Sequence, residues 1–233
     1  MLKYVTGARC TLCGAVTEAA PDLTVCPICG GILDIEYDYD IRELLDDYWA
    51  GKRPLHEYTD ALNFQEAIYP ENYDKLRCLE NHDQPRIASR IADPVALSNW
   101  NAFMFFQKGT PMLYAGQERM DANQPSLFDQ DPVNWNGADI SEELRQLARF
   151  KKEHYPEDAC FSAEADDERH IIVAMAEGRK ASLCGVFSLK AEAADVKVDA
   201  ADGIYADLIS GETVEVKNGC LHTDGRPVIF RMK

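Results

Sequence analysis

Two short apolar runs in this chain each stop at a polar cluster, and a helix-length segment separates them. In LRCLENHDQPR, Leu76 to Arg86, the run ends at Asn81, His82 and Asp83. In GTPMLYAGQE, Met112 to Tyr114 make a short run that ends at Gly116, Gln117 and Glu118. Between them Asp93 is placed to cap a helix with Pro94 at its first position, and Gly109 stops it after Lys108. Trp100, Phe103, Met104 and Phe106 give that helix its core positions. Ser141 caps a further helix to His154, with Glu142 or Glu143 in its first turn. Strand, helix, strand, helix in this order predicts parallel strands joined by right-handed crossovers.

The expected strands are Lys75–Glu80 and Met112–Tyr114, and their polar ends match the C-terminal rim where β/α-barrel enzymes hold their active sites. The alternative is a turn in which Asn81 and Asp83 cap the following segment. Upstream, Ile41 to Gly51 has helical spacing and ends at glycine. After Pro54 a second helix carries Leu55, Tyr58, Leu62 and either Phe64 or Gln65 on one face.

The two ends of the chain have different grammars. Cys10, Cys13, Cys26 and Cys29 form two CxxC pairs, a spacing that lets four thiolates surround one tetrahedral zinc ion. Gly14 and Gly30 follow the pairs, where the backbone must turn tightly. Two disulfides or four thiols are the alternatives. A segment of this size cannot bury enough core to fold alone, so metal would supply its folding energy. Beyond residue 158, runs such as IIVAMAE, ASLCGVFSL, TVEVKNG and PVIFRMK have strand length. Gly211-Glu212 and Asn218-Gly219 are hairpin-turn signals. Seven such strands imply an antiparallel β-sandwich, with Cys160, Cys184 and Cys220 as small core residues.

Charge bounds the partners. With 24 Lys and Arg against 40 Asp and Glu, the net charge of −16 disfavours nucleic acid and anionic membrane surfaces. The first ten residues show no apolar leader, no run reaches the length of a membrane span, and the other four cysteines are scattered singly. A cytoplasmic setting is the expectation.

MLKYVTGARCTLCG…CPICGGILDIEYDYD resembles the N-terminal zinc ribbon of threonine synthases, over about the first 40 residues. The ENHD and GTPMLYAGQE stretches together resemble the seventh- and eighth-strand regions of the α-amylase family of glycoside hydrolases. YDYDIRELLDDYWAGKRPLHEYTDALNF is similar to the segment after that family's sixth strand, and DLISGETVEV with PVIFRM to its C-terminal domain. The resemblances imply a multidomain α/β plus all-β chain. It would hold a zinc ribbon (1–36), the last strands and helices of a (β/α)8 barrel (37–158) and a C-terminal β-sandwich (159–233).

The α-amylase resemblance implies that Asp83 stabilises an oxocarbenium-like transition state. It implies that His82 and Asn81 meet sugar hydroxyls and that Arg86 supports them. Retaining glycosidases also need a nucleophile and an acid/base carboxylate about 5–5.5 Å apart. The residues that fill those roles in the family have no match in this sequence. Glu118 is expected to bond backbone groups at its strand end, and Glu80 to point away from Asp83. The expected ligand is an α-linked oligosaccharide or glucan, bound weakly and not hydrolysed by this chain alone. Exposed barrel edges are expected to favour self-association.

Overall fold

The computed structural model describes residues 8–9, 15–17, 27–29, 39–69, 73–126 and 128–233. Strands β1 (Ala8–Arg9) and β2 (Val16–Thr17) pair antiparallel, with Ala8 opposite Thr17 and Arg9 opposite Val16. In sequence Cys10 and Cys13 fall between them, but Cys10, Cys13 and Cys26 lie outside the described residues. Cys29 is exposed in the turn at 27–29.

Helix α1 (Tyr39–Trp49) buries Ile41, Leu45 and Tyr48, one face at helical spacing, and the chain leaves it through Gly51 at φ 70°. In α2 (Leu55–Ile68) the buried stripe is Leu55, Tyr58, Thr59, Leu62 and Gln65. The three-four spacing continues to Gln65, whose Oε1 accepts from Arg77 Nη1 at 3.0 Å, while Phe64 is 49% exposed. Strand β3 (Leu76–Arg77) is followed by the short α3 (Ile87–Arg90) and by α4 (Pro94–Phe106). Asp93 Oδ1 caps α4 by accepting the Ala96 amide at 2.8 Å, as its sequence position predicts. Trp100, Phe103, Met104 and Phe106 are all buried.

Strand β4 (Thr110–Pro111) runs parallel to β3, with Leu76 opposite Thr110 and Arg77 opposite Pro111. β3 is shorter than the expected Lys75–Glu80, and β4 lies just before the expected Met112–Tyr114, which forms no strand. The ladder holds only from Lys75 O, which accepts Thr110 N, to Arg77 O, which accepts Met112 N, both at 2.8 Å. Past it, Leu79 O turns to Arg42 Nη1 of α1 at 2.9 Å, and Tyr114 O starts a turn by accepting Gln117 N at 3.0 Å. Among the described residues this parallel sheet is two strands wide and is not a closed barrel. A 3₁₀ turn (Gln117–Arg119) leads towards α5 (Ser141–Glu153). Ser141 is the first residue of α5 rather than its cap: its amide is taken by Asp139 Oδ1 at 2.9 Å.

The C-terminal region has eight strands, one more than the sequence suggested. They are β5 (Cys160–Asp166), β6 (Ile171–Glu177), β7 (Ser182–Ser188), β8 (Ala194–Lys197), β9 (Gly203–Ala206), β10 (Thr213–Lys217), β11 (Cys220–Thr223) and β12 (Val228–Arg231). All pair antiparallel in two sheets, β12-β7-β6-β5 and β8-β11-β10-β9. The strand missed is β5, whose acidic CFSAEAD alternates with Phe161 and Ala163 inward. That alternation leaves Cys160 exposed, and Cys220 is exposed likewise, so both depart from the expected core placement. Only Cys184 of the three is buried, and burial pushes its thiol up to about 12.

The first sheet is buried on both faces. Ile172, Ala174, Ala176, Leu183, Phe187 and Ile229 join a cluster with α1, α2, α4 and α5. Ile171, Cys184, Val186, Val228 and Phe230 face the second sheet, with Val196, Tyr205, Val216 and Leu221. This is why β6 and β7 read as nearly continuous apolar runs. Gly185 is needed where α4 comes closest: a Cβ there would lie 2.6 Å from the Phe187 ring and 3.2 Å from Phe106. The edge strand β5 is covered by α2, where Asn63 Nδ2 donates to Ala163 O at 2.8 Å and Asn63 Oδ1 accepts Ala163 N at 2.9 Å. The helices and the first sheet therefore share one core, and a second core lies between the two sheets.

Candidate functional site

The polar cluster after β3 divides into a buried half and an exposed half. Asn81 is 1% exposed and its Oδ1 accepts the Asp83 amide at 2.9 Å, a side-chain turn that sets the direction of the next two residues. His82 and Asp83 project outward, their side chains 54% and 48% exposed, with Nε2 of His82 3.3 Å from Oδ2 of Asp83.

Beneath them Arg86 is 2% exposed and ties two loops together. Its Nη1 meets Glu80 Oε1 at 2.7 Å and Ala115 O at 2.8 Å, its Nε donates to Asn123 O at 3.3 Å, and its Nη2 lies 3.6 Å from Asp121 Oδ2. The guanidinium also lies 4.6 Å from the centre of the Tyr114 ring. Glu80, wholly buried, spends its second oxygen on the Ile87 amide at 2.7 Å. Burial pushes the Glu80 carboxyl up, against the opposing pull of Arg86 and that amide. An ion pair so enclosed holds its place because each charge would be stranded without the other. Gly116 sits at φ 101°, and a Cβ there would come within 2.8 Å of Val133 and 3.2 Å of Arg86, so the second loop closes over the guanidinium only as glycine.

The expected site residues thus separate by role. His82 and Asp83 reach solvent together. Asn81 and Arg86 lie below the surface and fix the loop, so the support expected of Arg86 is exerted on backbone and carboxylates. Glu118 is turned inward, its Oε2 accepting the Gly116 amide at 2.8 Å. Glu80 does point away from Asp83, but into the Arg86 hub. Sequence reasoning missed that hub, whose one legible sign is a Glu and an Arg flanking the NHD cluster. The space between α1, α2 and β3, lined by Ile41, Leu45, Tyr58, Arg77, Asn81 and Met104, measures about 30 Å³ and would hold about one water molecule.

A parallel strand pair followed by a polar loop, with an antiparallel sandwich packed on the helices, makes a partial α/β fold carrying a C-terminal antiparallel β-domain. The chain belongs to the α-amylase family. The family's "Alpha amylase, catalytic domain" matches residues 46–177, and "Bacterial Alpha amylase C-terminal domain" matches residues 162–230. The two matches overlap within β5 and over β6, where the first sheet shares its core with the helices. An α-amylase of Lactobacillus plantarum superposes with a TM-score of 0.77 at 32% identity, over 84% of this chain and 47% of that one. A maltogenic α-amylase of Thermotoga neapolitana gives 0.73 at 26% identity, over 86% of this chain and 51% of that one. "Alpha-amylase 2" of Dictyoglomus thermophilum is 22% identical over 206 residues, 78% of this chain and 34% of that protein. The chain therefore spans about half the length of these solved relatives and about a third of this curated one.

Proposed function

We propose that this chain supplies one wall of an α-glucan site and does not hydrolyse glycosidic bonds by itself. The observation that carries the reading is the exposed His82–Asp83 pair in the loop that follows β3, beside the buried Glu80–Arg86 hub. In this reading Asp83 stabilises positive charge on a sugar ring and His82 bonds its hydroxyls. The neighbouring carboxylates are already engaged: Glu80 and Asp121 by Arg86, and Glu118 by a backbone amide. Retaining hydrolysis needs a nucleophile and a proton donor in addition to Asp83. Loss of the proton donor alone costs roughly 10²–10⁴ in rate.

The test is turnover of a nitrophenyl α-glucoside and of maltotriose by the chain and by Asp83→Asn, with maltotriose titrated against the His82 ring resonances. The expected result is background turnover in both proteins and a millimolar shift of the His82 signals. Turnover that vanishes in Asp83→Asn would overturn the inactivity, and an unmoved His82 would remove the sugar wall.

We also propose that Cys10, Cys13, Cys26 and Cys29 hold one structural zinc ion. In support, the first CxxC pair falls in sequence between the antiparallel β1 and β2, and Cys29 lies in a turn. Metal analysis of the purified chain should find one zinc per molecule, and intact disulfides at these positions would contradict it.

A further inference from the structure

The start of the β3–β4 pair, opposite the side from which the chain continues to His82 and Asp83, holds a second polar cleft. It measures about 390 Å³, at the lower end of the range of small-molecule sites, about 300–1,000 Å³. Tyr73, Asp74, Lys108, Lys151, Tyr155 and Glu157 line it. Its two lysines are treated differently. Lys108 Nζ meets Glu66 Oε1 at 3.0 Å and lies 4.5 Å from the centre of the Tyr73 ring. Lys151 Nζ has no carboxylate within 4 Å among the described residues; it donates to Gln107 O at 2.6 Å and lies 3.5 Å from the centre of the Tyr155 ring.

We infer that Lys151 is a preferred site of imine formation with small neutral hydroxyaldehydes, the open-chain form of an aldose among them. The cleft gives such a molecule room beside the amine. Asp74 and Glu157 can accept its hydroxyls and would repel an anionic aldehyde. The amine lone pair attacks the aldehyde carbon and a C–N bond forms. The carbonyl oxygen then leaves as water with the two amine protons, and C=N remains. No oxidant or reductant enters.

The amine is prepared for this by its surroundings. Burial pulls the Lys151 ammonium down to about 7, with Arg77 adding to the fall and Asp74 opposing it. Tyr155 and Tyr73 stay protonated, because burial pushes both phenols up, and so add no negative charge. Near pH 7 about half of Lys151 is then neutral, against roughly 0.04% of an ordinary lysine. Lower basicity gives back part of that gain. Desolvated lysines are the ones that form Schiff bases in enzymes.

The experiment treats the intact chain with limiting glyceraldehyde and cyanoborohydride at pH 7 and follows each lysine by peptide mass spectrometry. Lys151 should be labelled at least about tenfold faster than Lys152, which is exposed on the same helix. That advantage should shrink about tenfold per pH unit between pH 7.5 and 9, as exposed lysines lose their protons. Glyoxylate, an anionic aldehyde, should show a smaller preference for Lys151. Equal labelling of Lys151 and Lys152, or an advantage unchanged across that pH range, would overturn the inference. Equal preference for glyoxylate would remove its neutral-ligand part.

Discussion

The sheet β12-β7-β6-β5 and the pair β3–β4 are both β-structure packed on the same helices, yet they are finished differently. The first is four strands wide, buried on both faces, and its β5 edge is satisfied by Asn63. The second is two strands wide among the described residues, and its ladder ends after Met112. The antiparallel strands β5, β6 and β7 follow one another through short turns, and β12 returns from the end of the chain to pair with β7. Parallel strands depend on partners far away in the chain, and a barrel closes only when every strand is present. The sheet β12-β7-β6-β5 is thus completed by its own strands and by Asn63 of α2, while the rim beside His82 and Asp83 is held up by side chains: Arg42 on Leu79 O, Gln65 on Arg77, and Arg86 on two loops.

The shared core is where this contrast breaks most easily. Phe106 is fully buried and meets Phe150 of α5, Phe161 of β5 and Phe187 of β7, with ring centroids 5.6–6.4 Å apart. Phe106→Ala should cost about 3–5 kcal/mol. Helical and sheet signals should melt together in urea, because one cluster supports both. Glu80→Gln acts on the rim alone. It removes the shorter of the two ion pairs of the buried Arg86, leaving only Asp121 Oδ2 at 3.6 Å, and should cost about 1–3 kcal/mol locally. The His82 and Asp83 resonances should broaden or shift while those of β6 and β7 stay in place.

The smallest effect lies at the junction of α2 with the β5–β6 turn. His56 Nδ1 meets Asp167 Oδ2 at 2.6 Å, and that bond raises the His56 pKa. A raised histidine pKa gives stability that is fully present below about 6.5 and is lost as pH rises through the folded value. The urea midpoint should therefore fall slightly between pH 6 and 8, by more in the wild type than in His56→Ala. The contact is exposed, so the difference should be small.

Much of this was legible in the chain. Asp93-Pro94 announced the start of α4, the aromatics of α4 announced the core, and Asn218-Gly219 marked the tight turn between β10 and β11, which the structure forms at φ 53° and 69°. The NHD cluster was legible as a polar segment beyond a strand, but it lies in a turn that begins after β3 has ended at Arg77. The division of that cluster was not legible, because burial of Asn81 and Arg86 is decided by α1 and by the 114–123 loop, distant in sequence. The first strand was drawn too long and the second was placed past β4 for a related reason. Residues after Arg77 and Met112 are apolar enough for a strand, but their backbone groups are taken by helix side chains and turns. β5 was passed over because its outward Glu164 and Asp166 made it read as loop.

The contrast between a finished sheet and an open one is tested most directly by native-state hydrogen exchange of the intact chain. Amides of β6 and β7 should exchange only through global unfolding. Those of Thr110 and Met112, which bond Lys75 O and Arg77 O, should exchange through local opening, at least about a hundredfold faster. Protection of Thr110 and Met112 equal to that of β6 and β7 would contradict it and show the β3–β4 end to be as closed as the sandwich.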